Sequence, residues 1–200
     1  MQNHITNVKV NQEMRSDALV WLKHLDTFNG ECYLPDKLWR SSDTLELFTD
    51  SAGNINLGCA AYLSGHWAQL RYPAHWKNKE CMSDISFLEL VPILMTLFIW
   101  TPQFVNEKLL LRIDNQALIF IINKGTSKSK FVMKLVRPMV LLMMSKNIQV
   151  RALHIPWVNI AIADSLSRFQ LQRFRDLAPT ADQIPSDIHV EFLSIISDLK

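Results

Sequence analysis

The order of apolar segments along the chain constrains its fold more than any other feature. From residue 45, three short runs with strand character follow one another, and helical patterns then alternate with further strand patterns. The predicted strands are 45–50, 57–63, 66–72, 108–113 and 148–155, and the predicted helices are 86–100, 115–123, 128–146 and 159–169. This β-β-β-α-β-α-α-β-α order predicts an α/β fold with a mixed five-stranded sheet and helices on both of its faces.

The two ends of the chain and two prolines add detail to this scheme. Residues 12–25 and 190–199 have the spacing of amphipathic helices, whereas 28–39 contain the turn residues of a loop. Pro92 should bend the helix predicted over 86–100 or mark its late start, and Pro138 implies a kink in the helix over 128–146.

Composition excludes several classes of protein. The chain has 200 residues, is 48% hydrophobic and contains few glycines, so one domain with a sizeable core is expected. Its three cysteines lack C-x-x-C spacing, which argues against a disulfide framework and a zinc site and fits a reducing compartment. The polar N-terminus and the short apolar stretch, interrupted by Glu89, predict no signal peptide and no membrane span. An intracellular location, in cytoplasm or nucleus, is expected.

Four acidic residues lie in or next to these predicted elements. Asp50 ends the first strand and Asp114 closes the strand over 108–113, while Glu89 and Asp164 lie in helices. These four carboxylates can therefore meet at one edge of the sheet. Carboxylates without a thiol or imidazole cage suit Mg²⁺ or Mn²⁺. Two such ions about 4 Å apart can clamp both oxygens of a phosphodiester during its hydrolysis.

Each carboxylate also has a purely structural interpretation. Asp50 could close an Asx-type turn, and Glu89 could complete a capping box of the form S-x-x-E. Asp114 could be the N-cap of the next helix. Asp164 could pair with Arg168 one helical turn later, which would be worth only about 0.3–0.5 kcal/mol. Taken together, these interpretations leave the order of the segments unexplained, whereas a shared metal site predicts it.

A local basic segment is the sequence's main hint of a nucleic-acid partner, because the net charge is only +2. Lys124, Lys128 and Lys130 fall within a few residues of one another, next to Gly125 and small hydroxyl residues whose amides could approach phosphates. The alternative is an ordinary solvated loop. Asn115 could contact a base edge or a ribose hydroxyl, or could stabilise the start of a helix.

His154 ends a predicted strand two residues before a proline. A histidine there could simply hydrogen-bond the backbone. It could equally move a proton near neutral pH, since an unperturbed imidazole has a pKa of about 6.5.

Four motifs together resemble the ribonuclease H domain of retroelement reverse transcriptases, with the closest similarity to DIRS-like and Ty3-like elements. The motifs are FTDSAG at 48–53, SFLELVPI at 86–93, RIDNQALIFIINKG at 112–125 and HIPWVNIAIADSLSRFQ at 154–170, and the last is the most specific. The resemblance covers residues 44–170. It implies a connection-like arm, the tail of a reverse transcriptase, over 1–43, and a linker with a short helix over 171–200.

The resemblance also implies an activity. It makes the chain a metal-dependent endonuclease that hydrolyses the RNA strand of an RNA–DNA hybrid with two Mg²⁺ or Mn²⁺ ions, next to an upstream reverse transcriptase domain. Asp50 would bridge the ions, Asp164 would hold the water-activating ion, and Glu89 with Asp114 would hold the ion at the leaving oxygen. His154 matches the mobile histidine of the family.

Two other hypotheses about the function are compatible with the sequence. Trp157 stands where related elements usually have glycine, and the chain lacks the polymerase motifs. Both features allow a catalytically inactive module that binds nucleic acid or serves as a scaffold. A transposase or integrase of the same fold class is the third reading, although such enzymes use three carboxylates in another spacing.

Overall fold

A computed structural model describes residues 9–28, 30, 38–154 and 160–199. The strands are β1 (Arg40–Ser41), β2 (Leu47–Ser51), β3 (Gly58–Leu63), β4 (His66–Arg71), β5 (Lys108–Ile113) and β6 (Gln149–His154). The helices are α1 (Gln12–Leu25), α2 (Ile85–Ile99), α3 (Thr101–Phe104), α4 (Gln116–Lys124), α5 (Lys130–Lys146), α6 (Ala161–Ser167), α7 (Leu171–Leu177) and α8 (Val190–Ser197). The predicted order of strands and helices is confirmed, and β1, α3 and α7 are additional.

The strands form two three-stranded sheets. One is parallel, in the order β1-β5-β6, and the other is antiparallel, in the order β2-β3-β4. The expected α/β class and the mixture of parallel and antiparallel strands are therefore confirmed. The expected single five-stranded sheet is wrong for the described residues.

A turn over residues 42–46 divides the strand that would have joined the two sheets. The Leu47 amide donates to the Ser42 carbonyl at 2.7 Å, and Glu46 has a φ of 48°. A residue in the left-handed backbone conformation cannot continue a strand. β1 therefore pairs with β5, and β2 starts as a separate strand beside β3. The strand predicted from residue 45 consequently begins at Leu47.

The antiparallel sheet is covered on both faces. Cys59 and Ala61 of β3 belong to the main hydrophobic core, which contains most of α2. Ala60 and Tyr62, which point the opposite way because side chains alternate along a strand, belong to a second cluster with Phe174 of α7. Both faces of β3 are fully enclosed, so the middle of this sheet is a rigid support for the strand beside it.

Two prolines lie inside helices without ending them. α2 continues through Pro92 and α5 continues through Pro138. Each proline lacks an amide hydrogen, so one carbonyl in the preceding turn loses its helical donor. The late start considered for α2 is therefore wrong, because the helix begins at Ile85.

The first and last helices are attached differently. No residue of α1 is buried, and it is held to α5 partly by Arg137, whose guanidinium contacts Glu13 at 2.6 Å and Asp17 at 2.8 Å. α8 instead contributes Phe192 and Ile196 to the main core. The proposed divisions at residues 43 and 170 stay predictions.

The described cysteines, Cys59 and Cys81, are free and buried. Cys32, Trp157 and most of the loop predicted over 28–39 lie outside the described residues. Within the described part of the chain, no helix is long and apolar enough to cross a membrane.

Candidate active site

Asp50 lies in β2, opposite Ala60 of β3. Its carboxylate accepts a hydrogen bond from the Ser167 hydroxyl of α6 at 2.5 Å. Ser167 is fully buried, and its hydroxyl also contacts the carbonyl of Asp164. Because Asp50 belongs to a strand and is held by a helix, the Asx-turn interpretation is wrong.

A proline in α2 helps to fix that helix against β2. Since Pro92 has no amide hydrogen, the carbonyl of Leu88, four residues earlier, has no donor within its own helix. The Ser51 hydroxyl of β2 donates to this carbonyl instead. Ser51 follows Asp50 and Leu88 precedes Glu89, so this bond holds two acidic residues of the predicted site in register.

Glu89 is partly buried on α2, and its carboxylate accepts a hydrogen bond from the Asn115 side chain at 2.9 Å. The N-cap of α2 is Asp84, whose carboxylate accepts from the Phe87 amide at 3.1 Å. The capping-box interpretation of Glu89 is therefore wrong. Its side chain is directed away from the helix start, toward the loop after β5.

Asp114 lies between β5 and α4. The N-cap of α4 is Asn115, whose side-chain oxygen accepts from the Leu118 amide at 3.1 Å, so the N-cap interpretation of Asp114 is wrong. No described residue donates a hydrogen bond to the Asp114 carboxylate. A cavity of about 270 Å³ is lined by Asp50, Glu89 and Asp114 together. Three predicted site residues, from β2, α2 and the loop after β5, thus lie around one cavity.

Asp164 of α6 lies apart from this cavity lining, and two arginines hold its carboxylate. Arg168 contacts one oxygen at 2.5 Å, and Arg173 of α7 contacts the other at 2.7 Å. The predicted helical pair with Arg168 is therefore present, but Arg173 makes it a two-arginine clamp. Both oxygens of Asp164 already have cationic partners.

The acidic residues influence one another electrostatically. Burial raises the pKa of Asp50, and the nearby Asp164 carboxylate acts in the same direction, while the Ser167 hydrogen bond opposes both. Burial likewise raises the pKa of Glu89, with Asp114 and Asp50 adding to the effect and Asn115 opposing it. The Asp50 carboxylate thus interacts electrostatically with both Glu89 and Asp164.

Asp164 shows the opposite shift. Desolvation acts to raise its pKa, but the hydrogen bonds from Arg168 and Arg173 outweigh it, and the pKa is lowered. Asp164 is therefore ionised at neutral pH with its charge neutralised by arginines. Asp50 and Glu89 carry charges that the surrounding protein leaves poorly compensated.

Asp50→Asn should stabilise the chain at neutral pH in EDTA. A carboxyl with a raised folded-state pKa contributes stability below its ordinary pKa of 3.8, and that contribution is lost as the pH rises through the raised value. The asparagine side chain does not ionise, so the variant does not lose this stability as the pH rises. Its amide oxygen can still accept the Ser167 hydrogen bond. Each kcal/mol by which the free energy of unfolding increases should raise Tm by about 2–4 °C. Thermal melts between acid and neutral pH would measure this change.

Asp187→Asn is the matched control, because Asp187 is exposed and the charge change is the same. The control should leave the pH profile of Tm unaltered. A lower Tm for Asp50→Asn than for the parent at pH 7 would contradict this account of the site.

The donor set fits hard cations, because every candidate ligand is a carboxylate. Among the described residues, no group of three His, Cys, Asp or Glu side chains is gathered closely enough to hold a metal ion. Mg²⁺ usually keeps several waters and binds proteins through one or two carboxylates. The arrangement around the cavity therefore suits ions held by pairs of carboxylates and water, rather than a closed protein cage.

Arg173→Gln should make the chain bind Mn²⁺ more readily, because it releases one oxygen of Asp164. The pair is partly exposed, with 47% and 23% of the two side chains accessible. Such pairs are worth about 0.2–1 kcal/mol, so the Mn²⁺ concentration giving half of the Tm increase should fall by up to about fivefold. Arg15→Gln, on exposed α1, is the control. A higher Mn²⁺ requirement in Arg173→Gln would show that the clamp assists the ion.

His154 is exposed at the end of β6, where it pairs in register with Ile113, the residue before Asp114. It is thus near the carboxyl end of β5 but does not line the cavity. Trp157, which stands where related elements usually have glycine, lies outside the described residues.

The basic segment has free side chains but occupied amides. Lys124, Lys128 and Lys130 are exposed, and no described acidic residue pairs with them. The Ser127 amide donates to the Met133 sulfur, and the Ser129 amide donates to the Ser127 hydroxyl. Phosphate contacts at this segment would therefore come from lysines, and not from these two backbone amides.

Three residues of the site were not singled out from the sequence. Ser167 and Arg173 hold Asp50 and Asp164, and Arg112 lines the cavity. Ser167 lies within the SLSR part of the most specific motif, a signal that could have indicated it. Arg173 follows Asp164 by more than two helical turns, and no local pattern indicates such a contact.

Comparisons with protein-family models, with curated proteins and with solved structures give no match for this chain. Any function of this chain is therefore inferred from its residues and their arrangement.

Proposed function

We propose that this chain is a metal-dependent endonuclease that hydrolyses the RNA strand of RNA–DNA hybrids. The observation that supports the proposal best is that Asp50 of β2, Glu89 of α2 and Asp114 of the loop after β5 line one cavity. We further propose that it is part of, or derived from, a retrotransposon reverse transcriptase, and that its fold is of the ribonuclease H type. The sequence motifs support that origin.

The residues of the site would bind the metal ions and hold the ligands in position. Asp50, Glu89, Asp114 and Asp164 would hold two Mg²⁺ or Mn²⁺ ions, which would supply an activated water and neutralise phosphate charge. Ser167 fixes the orientation of Asp50 and Asn115 fixes that of Glu89. Such supporting hydrogen bonds hold ligands in place and typically change metal affinity or activity by about 10–100-fold.

Other residues would position the substrate. Lys124, Lys128 and Lys130 form an exposed basic segment next to α4, the helix that Asn115 caps. Contacts with phosphates would fix the register of the duplex, and helix shape with the 2′-hydroxyl would distinguish RNA from DNA. His154, which pairs in register with Ile113 at the end of β5, would move a proton to the leaving oxygen.

A labelled RNA–DNA hybrid incubated with Mg²⁺ or Mn²⁺ tests the proposal directly. The RNA strand of the hybrid should be cut, and an all-DNA duplex of the same sequence should stay intact. Cleavage in EDTA, or equal cleavage of both duplexes, would reject a metal-dependent nuclease specific for hybrids.

The alternative is a catalytically inactive module that binds nucleic acid. The observation in its favour is the arginine clamp on Asp164, which occupies both oxygens of one required ligand. Thermal stability separates the two functions. A working site should gain stability from Mn²⁺, by about 2.7 kcal/mol at a hundred times Kd, whereas an inactive site should show no gain.

A further inference from the structure

Among the described residues, one face of the parallel sheet β1-β5-β6 is covered and the other is open. Leu109, Leu111, Val150 and Ala152 point into the main core on the covered side. The residues between them point the other way, because side chains alternate along a strand. We define the open face as Trp39, Lys108, Leu110, Arg112, Arg151 and Leu153. All six are partly or fully exposed, and 53% of Leu153 is accessible.

An aromatic ring and a cation meet across this face. The Arg151 guanidinium of β6 lies 4.9 Å from the centre of the Trp39 ring, which directly precedes β1. β1 and β6 are not neighbours, because β5 lies between them. The contact therefore places the Trp39 ring over the middle strand, on the open side of the sheet.

The charged side chains of the open face are all cationic. They are Lys108, Arg112 and Arg151, and the described acidic residue that pairs with one of them is Asp43, 3.2 Å from Arg112. Lys108 and Arg151 have no described acidic partner. The partner of this face should therefore carry regularly spaced negative charge.

An open face on a parallel sheet is unusual, because parallel strands are generally covered on both sides. The combination of an aromatic ring, apolar surface and unpaired cations matches the surfaces that bind single strands, where bases stack on rings and phosphates meet cations. We propose that the open face binds single-stranded nucleic acid.

The open face joins the candidate active site through Arg112. The Arg112 side chain donates to the Ser41 hydroxyl at 2.9 Å within the sheet, and the same residue lines the cavity with Asp50 and Asp114. A strand on this face would extend directly from the cavity. In this respect the inference rests on the proposed function, because the bound strand would be the unpaired extension of a hybrid held at the carboxylates.

Binding of a labelled oligothymidine of roughly 16 nucleotides, measured by fluorescence anisotropy in EDTA, tests the inference. The parent chain should bind. Arg151→Glu should weaken binding by about tenfold or more and should reduce the salt dependence, since each phosphate contact contributes about 0.7 to the slope of log K against log salt. Lys146→Glu, an equal charge change at an exposed position on α5, should leave binding within about twofold.

The ring provides a second test that does not involve charge. Trp39→Phe keeps an aromatic face and should retain most of the affinity. Trp39→Leu keeps apolar surface but no ring, and it should lose about fivefold or more, because stacking on an aromatic ring is worth about 1–3 kcal/mol per base. Circular dichroism of both variants would check that the fold is intact.

Absence of oligothymidine binding by the parent would overturn the inference. Equal losses in Arg151→Glu and Lys146→Glu would also overturn it, because binding would then follow net charge rather than this face. Since EDTA removes divalent ions, the result is independent of the carboxylate site. A chain that binds oligothymidine but cuts no hybrid would reject the proposed function alone.

Discussion

Asp114→Asn should reduce hybrid cleavage by about a hundredfold or more and leave the fold intact. Metal-held charge is worth several kcal/mol in phosphodiester chemistry, and each 1.4 kcal/mol is a factor of ten in rate. The Asp114 carboxylate lines the cavity and takes no part in capping α4, so its charge can be removed without loss of a structural hydrogen bond. Single-turnover cleavage of the labelled hybrid would measure the effect.

The control for this variant is Asp187→Asn, which makes the same charge change at an exposed position. It should cleave the hybrid at the parental rate. Hybrid binding by Asp114→Asn should also stay close to that of the parent, since phosphate contacts dominate affinity. Full cleavage by Asp114→Asn would remove this residue from the catalytic set and with it the assignment of the cavity.

Gly58→Ala should destabilise the chain by about 3 kcal/mol or more, at the upper end of what one added methyl group costs. A Cβ at this position would lie 1.9 Å from the Leu70 carbonyl oxygen on the neighbouring strand. That oxygen is backbone and cannot rotate away, so β3 and β4 would have to separate. Urea unfolding followed by tryptophan fluorescence would measure the loss.

Gly53→Ala is the matched control, because an added Cβ there would meet no atom within 4 Å. Its free energy of unfolding should change by less than about 1 kcal/mol. β3 also supports Asp50 through its pairing with Ala60, so Gly58→Ala should weaken cleavage together with stability. Normal stability of Gly58→Ala would mean that the two strands are further apart than described.

Much of the architecture could be predicted because its signals are local. The bounds of α1 and β5 match the prediction at both ends, since a capping asparagine precedes one and polar residues bound the aliphatic run of the other. The division into two sheets could not be predicted. It depends on the left-handed conformation of Glu46 and on the pairing of Ser41 with Leu110, a contact between segments far apart in sequence.

The site was predictable to a similar degree. The positions of Asp50, Glu89 and Asp114 at the ends or starts of elements indicated that they would meet, and the structure brings them to one cavity. Asp164 does not line that cavity, and its carboxylate is held by Arg168 and by Arg173, which lies on a helix that the sequence did not predict. Long-range pairing between charged side chains leaves no periodic signal in the chain.

Because the Ser51 hydroxyl donates a hydrogen bond to the Leu88 carbonyl, the residues tolerated at position 51 depend on the residue at position 92. A chain that lost Pro92 would regain an amide in α2, and that amide would compete with Ser51 for the same acceptor. A chain that lost the hydroxyl at 51 would leave the carbonyl without a donor as long as proline stayed. Substitutions at these two positions should therefore be accepted together more readily than singly, and natural variants of this protein should exchange them as a pair.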